Sequence, residues 1–142
     1  MCSVSSHPAL LPDLFLDRSL GAVQVPRILR AAGLKLVTLT EHYGKPADQE
    51  ITDVRCINDA TAHDWVCLLK DSAVARNVAE RQAIRDAGAR CFCIVNQNLP
   101  AAQMAGRLLA AIGEITEVCD TKPGPFMYRV ERGKISEIDL NT

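Results

Sequence analysis

Acidic and amide side chains follow four of the hydrophobic segments that the sequence predicts to be strands. They are Asp17, Glu41, Asp71 and Asn96. In an open parallel sheet, ligands bind outside the carboxyl ends of the strands, so these side chains would gather along one edge. Asp53, at the predicted start of the helix after the second strand, would lie near the same edge. Carboxylates held this close repel one another, and a hard cation relieves the repulsion.

A divalent cation is therefore the chemistry that this pattern predicts. Mg²⁺ and Mn²⁺ prefer carboxylate and water ligands, and such an ion can activate water and stabilise a phosphodiester during displacement. The alternative is structural, because Asp and Asn are common after strands, where they suit turns and caps. Asp53 in particular could serve only as a negative charge at a helix start. For each residue taken alone, capping is the better explanation; the group of residues favours the metal.

Other kinds of site have less support in the sequence. It contains neither of the glycine-rich phosphate motifs, G-x-G-x-x-G after the first strand or G-x-x-x-x-G-K-[ST], and no G-x-S-x-G elbow. The six cysteines do not form paired zinc-binding motifs, and we expect reduced thiols. Cys67 lies near His63 in sequence, but inside a segment predicted to be buried, where a thiol is usually inert.

The predicted elements alternate between strands and helices along the chain. Strands are expected at 14–16, 34–39, 65–69 and 91–95, and helices at 25–33, 53–62, 78–87 and from 100 onwards, the last with Ile112 still on its apolar side. This order predicts an α/β fold with an open, mostly parallel sheet and helices on both faces. Residues 126–138 predict a C-terminal hairpin, which would extend an edge of the sheet or cover one of its faces.

Length and charge limit the possibilities further. The chain has 142 residues, of which 48% are hydrophobic, and this predicts one domain over 1–142 with an irregular arm at 1–12. The net charge of -1 gives no general attraction to nucleic acid, so RNA binding would need a local basic patch. No apolar run approaches the roughly 18 residues of a membrane helix. The N-terminal segment lacks the features of a secretion signal, and we expect a cytoplasmic protein.

Several short motifs occur in an order and spacing that are characteristic of one known family. They are the segments 15–21, 37–39, 65–71, 92–99 and 122–126, together with Asp53, Arg76, Glu80 and Arg81. Over roughly residues 13 to 138, the sequence resembles the PIN-like domain family, in the branch that contains the VapC-type toxins of bacterial toxin–antitoxin systems.

The resemblance implies a three-layer α/β/α sandwich and a metal-dependent endoribonuclease, the toxin of a type II toxin–antitoxin system, which uses Mg²⁺ or Mn²⁺ to activate water. It also implies an RNA substrate, a cognate antitoxin protein and, often, a homodimer. Carried over by position, Asp17, Asp53 and Asp71 match the catalytic, metal-binding acids of the family. Glu41 is a looser match to a metal ligand, and Asn96 is looser again.

Basic residues near the predicted edge are candidates for binding RNA phosphates. Arg18, Lys70 and Arg76, with Arg81 less directly, are the residues concerned, and Asn96 would contact substrate with them. Alternatively, Arg18 and Lys70 only pair with neighbouring acids.

The sequence also departs from the family pattern. Arg18 and Ala73 stand where related sequences often carry further acids, which favours one metal ion over two. The departure leaves open a non-catalytic PIN-like module that binds RNA or protein. A third alternative is a receiver-like phosphorylation domain, which also gathers acids at strand ends.

Overall fold

A computed structural model describes residues 11–17, 20, 23–45, 47, 51–70, 78–94 and 99–140. The side chains of Asp53 and Lys70 are outside this description, although their backbones are included. Arg18, Asp71, Arg76 and Asn96, four of the residues predicted to form the site, lie outside the described residues, as does nearly all of the predicted arm.

Six strands of the described chain form one sheet. They are β1 (Leu14–Leu16), β2 (Leu36–Thr38), β3 (Val66–Lys70), β4 (Arg90–Ile94), β5 (Phe126–Glu131) and β6 (Lys134–Glu137). The strand order is β2-β1-β3-β4-β5-β6. Every neighbouring pair is parallel except β5 and β6, which are antiparallel. The C-terminal hairpin therefore extends the edge of the sheet, one of the two possibilities that its sequence left open.

Helices cover both faces of this sheet. They are α1 (Gln24–Ala31), α2 (Leu39–Tyr43), α3 (Asp53–Ala62), α4 (Val78–Ala87), α5 (Ala101–Ala110) and α6 (Ile112–Thr121). One apolar core joins α1, α5 and α6 to Leu14, Leu16 and Phe92 of the sheet. The other, which we call the α3 layer, joins α2, α3 and α4 to residues such as Phe15 and Cys67. The predicted three-layer α/β/α sandwich is confirmed.

Local sequence explains where the elements near the acids begin and end. All three residues of β1 are buried, as expected for a parallel strand covered on both faces. The Thr52 side chain caps α3 by accepting a hydrogen bond from the Arg55 N–H at 3.1 Å. Helix α4 is followed by Gly88 at φ +70°, a left-handed conformation that glycine adopts without steric cost.

Several predicted boundaries differ from the observed ones by one or two residues, and at two places the sequence missed the start of a helix. The second strand was expected to continue to Leu39, but it ends at Thr38, and α2 begins at once. The helix from Pro100 was expected to carry Ile112 on its apolar side. Instead it ends at Ala110, and Ala111, with φ -97° and ψ 1°, separates it from α6. Within the described residues, no helix is both long enough and apolar enough to cross a membrane.

Candidate functional site

The strand order creates a crevice at the carboxyl ends of β1 and β3. From β1 the chain passes to β2 on one side, and it later returns to place β3 on the other side. Ligands of open α/β sheets bind where the strand order reverses in this way. We call this region the acid edge: the carboxyl ends of β1, β3 and β4, marked by Asp17, Lys70 and Ile94. Asp17 follows β1 directly, and Lys70 is the last residue of β3.

Asp17 is held at the acid edge by its backbone. Its N–H donates to the carbonyl oxygen of Leu68 at 3.0 Å, and its own carbonyl oxygen accepts from the Leu20 N–H at 3.0 Å. The residue is only 8% exposed. Phe15 packs in the α3 layer, and strand alternation directs Asp17 toward the same side of the sheet.

The thiol of Cys67 lies close enough to Asp17 to feel its charge. The pKa of Cys67 is raised well above its ordinary value. The hydrogen bond with Cys56 lowers this pKa, but the hydrogen bond with Cys91, complete burial and the negative charge of Asp17 together raise it more. Cys67 is therefore a protonated core thiol, and it is unsuited to act as a nucleophile.

Asp53 is the first residue of α3, which packs over β3 on the Asp17 side of the sheet. The start of a helix is the positive end of its dipole, so a carboxylate is stabilised there. Buried Ile51 and Ile57 anchor this end of the helix in the α3 layer. The fold therefore places the start of α3 on the same face as Asp17.

Glu41 forms hydrogen bonds with neighbouring residues on the β2 side of the sheet. Its Oε1 accepts from the Thr38 N–H at 3.0 Å and from Nη2 of Arg30 at 2.6 Å. The Glu41 N–H donates to Oγ1 of Thr38 at 3.2 Å, which completes a capping box at the start of α2. The hydrogen bond from Arg30 lowers the pKa of Glu41, and partial burial opposes that effect. Glu41, which was predicted to follow the second strand, therefore lies within helix α2.

The described residues bring together part of the predicted site. Asp17 and the end of β3 lie at the acid edge, where Lys70 pairs with Ile94 of β4, and α3 covers the face of the sheet toward which Asp17 points. Among the side chains that the structure describes, no three acids, histidines or cysteines are close enough together to hold one ion. The side chains of Asp53 and Asp71 are not among those described.

The structure draws attention to three charged residues near the acid edge, because two are buried and the third lies in a strand of the sheet. Glu80 and Arg81, in the first turn of α4, are 8% and 9% exposed, unusually buried for charged side chains. Arg129 of β5 pairs with Cys93 of β4 near the same edge. The sequence linked Glu80 only to a family motif and named Arg81 as a less direct candidate for binding RNA phosphates. It assigned no role to Arg129, because residues 126–138 predicted nothing beyond a hairpin.

Comparisons with known proteins assign the chain to a family. A family model described as a PIN-like domain matches residues 12–96. The chain belongs to the PIN-like domain family. It is also 41% identical over 128 residues to a protein of Mycobacterium tuberculosis (strain ATCC 25618 / H37Rv) that is named "Putative ribonuclease VapC45". That similarity covers 90% of this chain and 92% of the relative. No solved structure matches the chain.

A cleft of about 750 Å³ lies at the opposite edge of this PIN-like sheet. Its lining includes Asp13, Asp64 and Arg90, which lie at the amino ends of β1, β3 and β4. Arg90 spans part of this edge, because its Nη2 donates to the carbonyl oxygen of Asp64 at 2.9 Å. The cleft is therefore separated from Asp17 by the length of the strands, and it belongs to a different surface.

The donor chemistry at the acid edge of the PIN-like chain fits a hard divalent cation. Carboxylate oxygens are the ligands that Mg²⁺ and Mn²⁺ prefer. Asp17 is only 8% exposed, and its carboxylate belongs to the class of ligand that such a cation binds. Asp17, Asp53 and Asp71 are the acids that would hold the ion.

Proposed function

We propose that this PIN-like chain is a metal-dependent endoribonuclease and the toxin of a bacterial toxin–antitoxin pair. The observation that carries the proposal is the placement of Asp17, a buried acid at the carboxyl end of β1, where the strand order reverses. The name of the Mycobacterium tuberculosis relative, a ribonuclease, supports RNA as the substrate. The acids alone argue for a metal ion, and the family argues for the substrate.

The proposed catalytic acids are Asp17, Asp53 and Asp71, which together hold one Mg²⁺ or Mn²⁺. When bound, such an ion activates water and neutralises the charge that develops on a phosphodiester. Asp17 is fixed by its backbone hydrogen bonds, so its carboxylate needs little reorganisation to serve as a ligand. The start of α3, which packs on the same face of the sheet, favours negative charge at Asp53.

Glu41 is given a different role in this proposal. Because its Oε1 is used by Thr38 and Arg30, we assign it to the start of α2 and the β2 side of the sheet. The metal role that its position in the sequence suggested stays a prediction, and a variant described in the Discussion distinguishes the two roles.

The RNA strand would lie along the acid edge and contact basic residues there. Lys70 ends β3 at this edge, and Arg18, Arg76 and Asn96 complete the set that we propose to bind substrate. Partner proteins follow from the same proposal. A cognate antitoxin would block the acid edge, and a homodimer is the proposed assembly.

One matched pair of variants tests the proposal. Asp17→Asn removes the charge at the carboxyl end of β1, whereas Asp13→Asn removes a charge just before the other end of the same strand. We expect parent and Asp13→Asn to cut a mixed RNA pool in Mg²⁺ or Mn²⁺ but not in excess EDTA. Asp17→Asn should cut at least about 100-fold more slowly, the effect of a serious defect at a metal site. Cleavage by Asp17→Asn at the parental rate would overturn the assignment.

The second candidate is a non-catalytic PIN-like module, which the departures at Arg18 and Ala73 favour. It predicts that the parent binds the RNA pool, or a protein partner, without cutting RNA at any concentration of Mg²⁺ or Mn²⁺. Retained binding without cleavage would therefore replace the nuclease proposal with this one.

A further inference from the structure

A row of four paired residues runs across the sheet from Asp17 to Arg129. Leu69 pairs with Cys93, and Cys93 pairs with Arg129. The hydrogen bond from the Asp17 N–H to the Leu68 carbonyl places Asp17 beside Leu69, in register with the same row. Three strand spacings of about 4.8 Å separate the ends, so the Cα atoms of Asp17 and Arg129 are roughly 14 Å apart.

Both ends of the row face the same side of the sheet. Leu69 and Cys93 belong to the α3 layer, as does Met127, two residues before Arg129 in β5. Because side chains alternate along a strand, Arg129 points to the side of Met127, which is also the side of Asp17. An arginine and the first acid of the proposed site therefore share one face near the carboxyl ends of the strands.

Arg129 is placed unusually for an arginine. The residue is half-buried, and its Nε atom is buried without a hydrogen-bond acceptor in the part of the chain that the structure describes. A buried donor of a charged group that lacks an acceptor is costly, and proteins keep such groups where function requires them. An anion bound next to this side chain would supply the missing acceptor.

The local charges offer one structural alternative. Glu80, in the first turn of α4, is buried, and α4 packs against β5. Arg129 could therefore serve only to balance the charge of Glu80 within the fold. That role predicts that replacing Arg129 lowers stability, while the folded fraction of each variant binds RNA as the parent does.

We infer that Arg129 binds a phosphate of the RNA strand on the β5 side of the acid edge, next to the phosphate that is cut. This inference rests on the proposed function. A guanidinium presents Nε and Nη as a fork that matches two phosphate oxygens, and lysine lacks that geometry. The contact lies beyond Leu69 and Cys93 from Asp17, so Arg129 helps to bind the strand without touching the reacting atoms.

The test measures binding of a fluorescent single-stranded RNA in EDTA, where cleavage is blocked, over a range of KCl concentrations. Arg129→Ala should weaken binding about tenfold, the loss of one charged contact. It should also reduce the slope of log K against log salt by about 0.7, the value for one phosphate contact on a single strand. Arg129→Lys should keep the slope and recover only part of the affinity.

Arg132→Ala is the matched control, because Arg132 is exposed in the turn between β5 and β6 and its loss changes net charge equally. It should bind like the parent. Thermal unfolding of every variant reports the folded fraction, and Arg129→Gln supplies a second, polar replacement if Arg129→Ala does not fold.

Three results would overturn the inference. Arg129→Ala could bind with the parental slope, Arg132→Ala could lose as much affinity as Arg129→Ala, or the Arg129 variants could lose stability while their folded fraction keeps parental binding. A parent that binds RNA but never cuts it would contradict only the nuclease proposal. A parent that binds no RNA in EDTA would overturn the inference, and cleavage in Mg²⁺ or Mn²⁺ would still test the nuclease proposal separately.

Discussion

The amide N–H of Asp17 donates a hydrogen bond to the carbonyl oxygen of Leu68 at 3.0 Å. This bond joins the first predicted acid of the site to β3, the strand whose last residue, Lys70, directly precedes Asp71 in the sequence. The backbone therefore sets the position of Asp17, and its side chain can be changed without removing the bond that holds it.

Replacing Asp17 by asparagine separates metal binding from stability. In EDTA, Asp17→Asn should unfold close to the parental temperature, because the backbone hydrogen bond that positions the residue remains. Added Mg²⁺ or Mn²⁺ should raise the unfolding temperature of the parent, since a ligand that binds the folded state stabilises it. Thermal unfolding with and without metal measures both effects.

Asp13→Asn is the control for this experiment, and it should respond to metal as the parent does. An Asp17→Asn variant with the parental response to metal would exclude Asp17 from the ion site, whatever its rate of RNA cleavage.

Glu41 supports a second prediction, about pH. Glu41→Gln should lower the free energy of unfolding at pH 7 by about 0.5–1 kcal/mol, a modest loss because the ion pair with Arg30 is substantially exposed. The folded pKa of Glu41 lies below its ordinary value of 4.5, because Arg30 donates a hydrogen bond to the carboxylate. The stabilisation is therefore present above about pH 4.5, and it disappears as the pH falls through the lowered pKa.

Urea unfolding at pH 7 and at pH 3 measures this difference, which should shrink in acid. Glu117→Gln, an exposed acid on α6, is the control and should have little effect at either pH. If Glu41→Gln instead abolishes the response to Mg²⁺ while stability is unchanged, Glu41 is a metal ligand, as its place in the sequence suggested.

Sequence and structure agree best where the signal is local. β1 and Asp17, and Thr52 as the cap of α3, follow from hydrophobic runs and capping residues only a few positions apart. Helix α2 was missed because five residues are too few to give a helical period. The available signal was the capping box spacing of Thr38 and Glu41.

Long-range pairing explains what the sequence could not predict. Arg129 acquires a place beside the acid edge only because β5 lies parallel to β4, with Cys93 opposite Arg129. No spacing along the chain encodes that register, and a hairpin pattern is equally consistent with a sheet edge or a covered face.

The third prediction concerns two glycines whose replacement by alanine should change the free energy of unfolding in opposite directions. A Cβ added at Gly124 would overlap the carbonyl oxygen of Gly88 and lie 3.2 Å from that of Ala89. Gly124→Ala should therefore lower the free energy of unfolding by about 2 kcal/mol or more, because backbone atoms must move apart. Gly106, within α5, has open space around the same position, so Gly106→Ala should raise stability by about 0.5–1 kcal/mol.

Chemical denaturation of the two variants beside the parent checks this pair. Equal stabilities for Gly124→Ala and the parent would mean that the chain at 124 does not pack against Gly88 as described.

The position of β5 also has a consequence for synthesis. Translation releases the amino-terminal part first, so Asp17, Asp53 and Asp71 leave the ribosome well before Phe126–Glu131. Until β5 docks, β4 is the outermost strand that has been made, and its residues from Cys91 to Ile94 are wholly buried in the finished fold. In a nascent or truncated chain, β4 is therefore an exposed, apolar edge strand, which promotes aggregation. Such a chain also lacks Arg129. When β5, the last parallel strand, pairs with β4, it covers this edge and brings Arg129 to the face of the sheet that carries the acids made earlier.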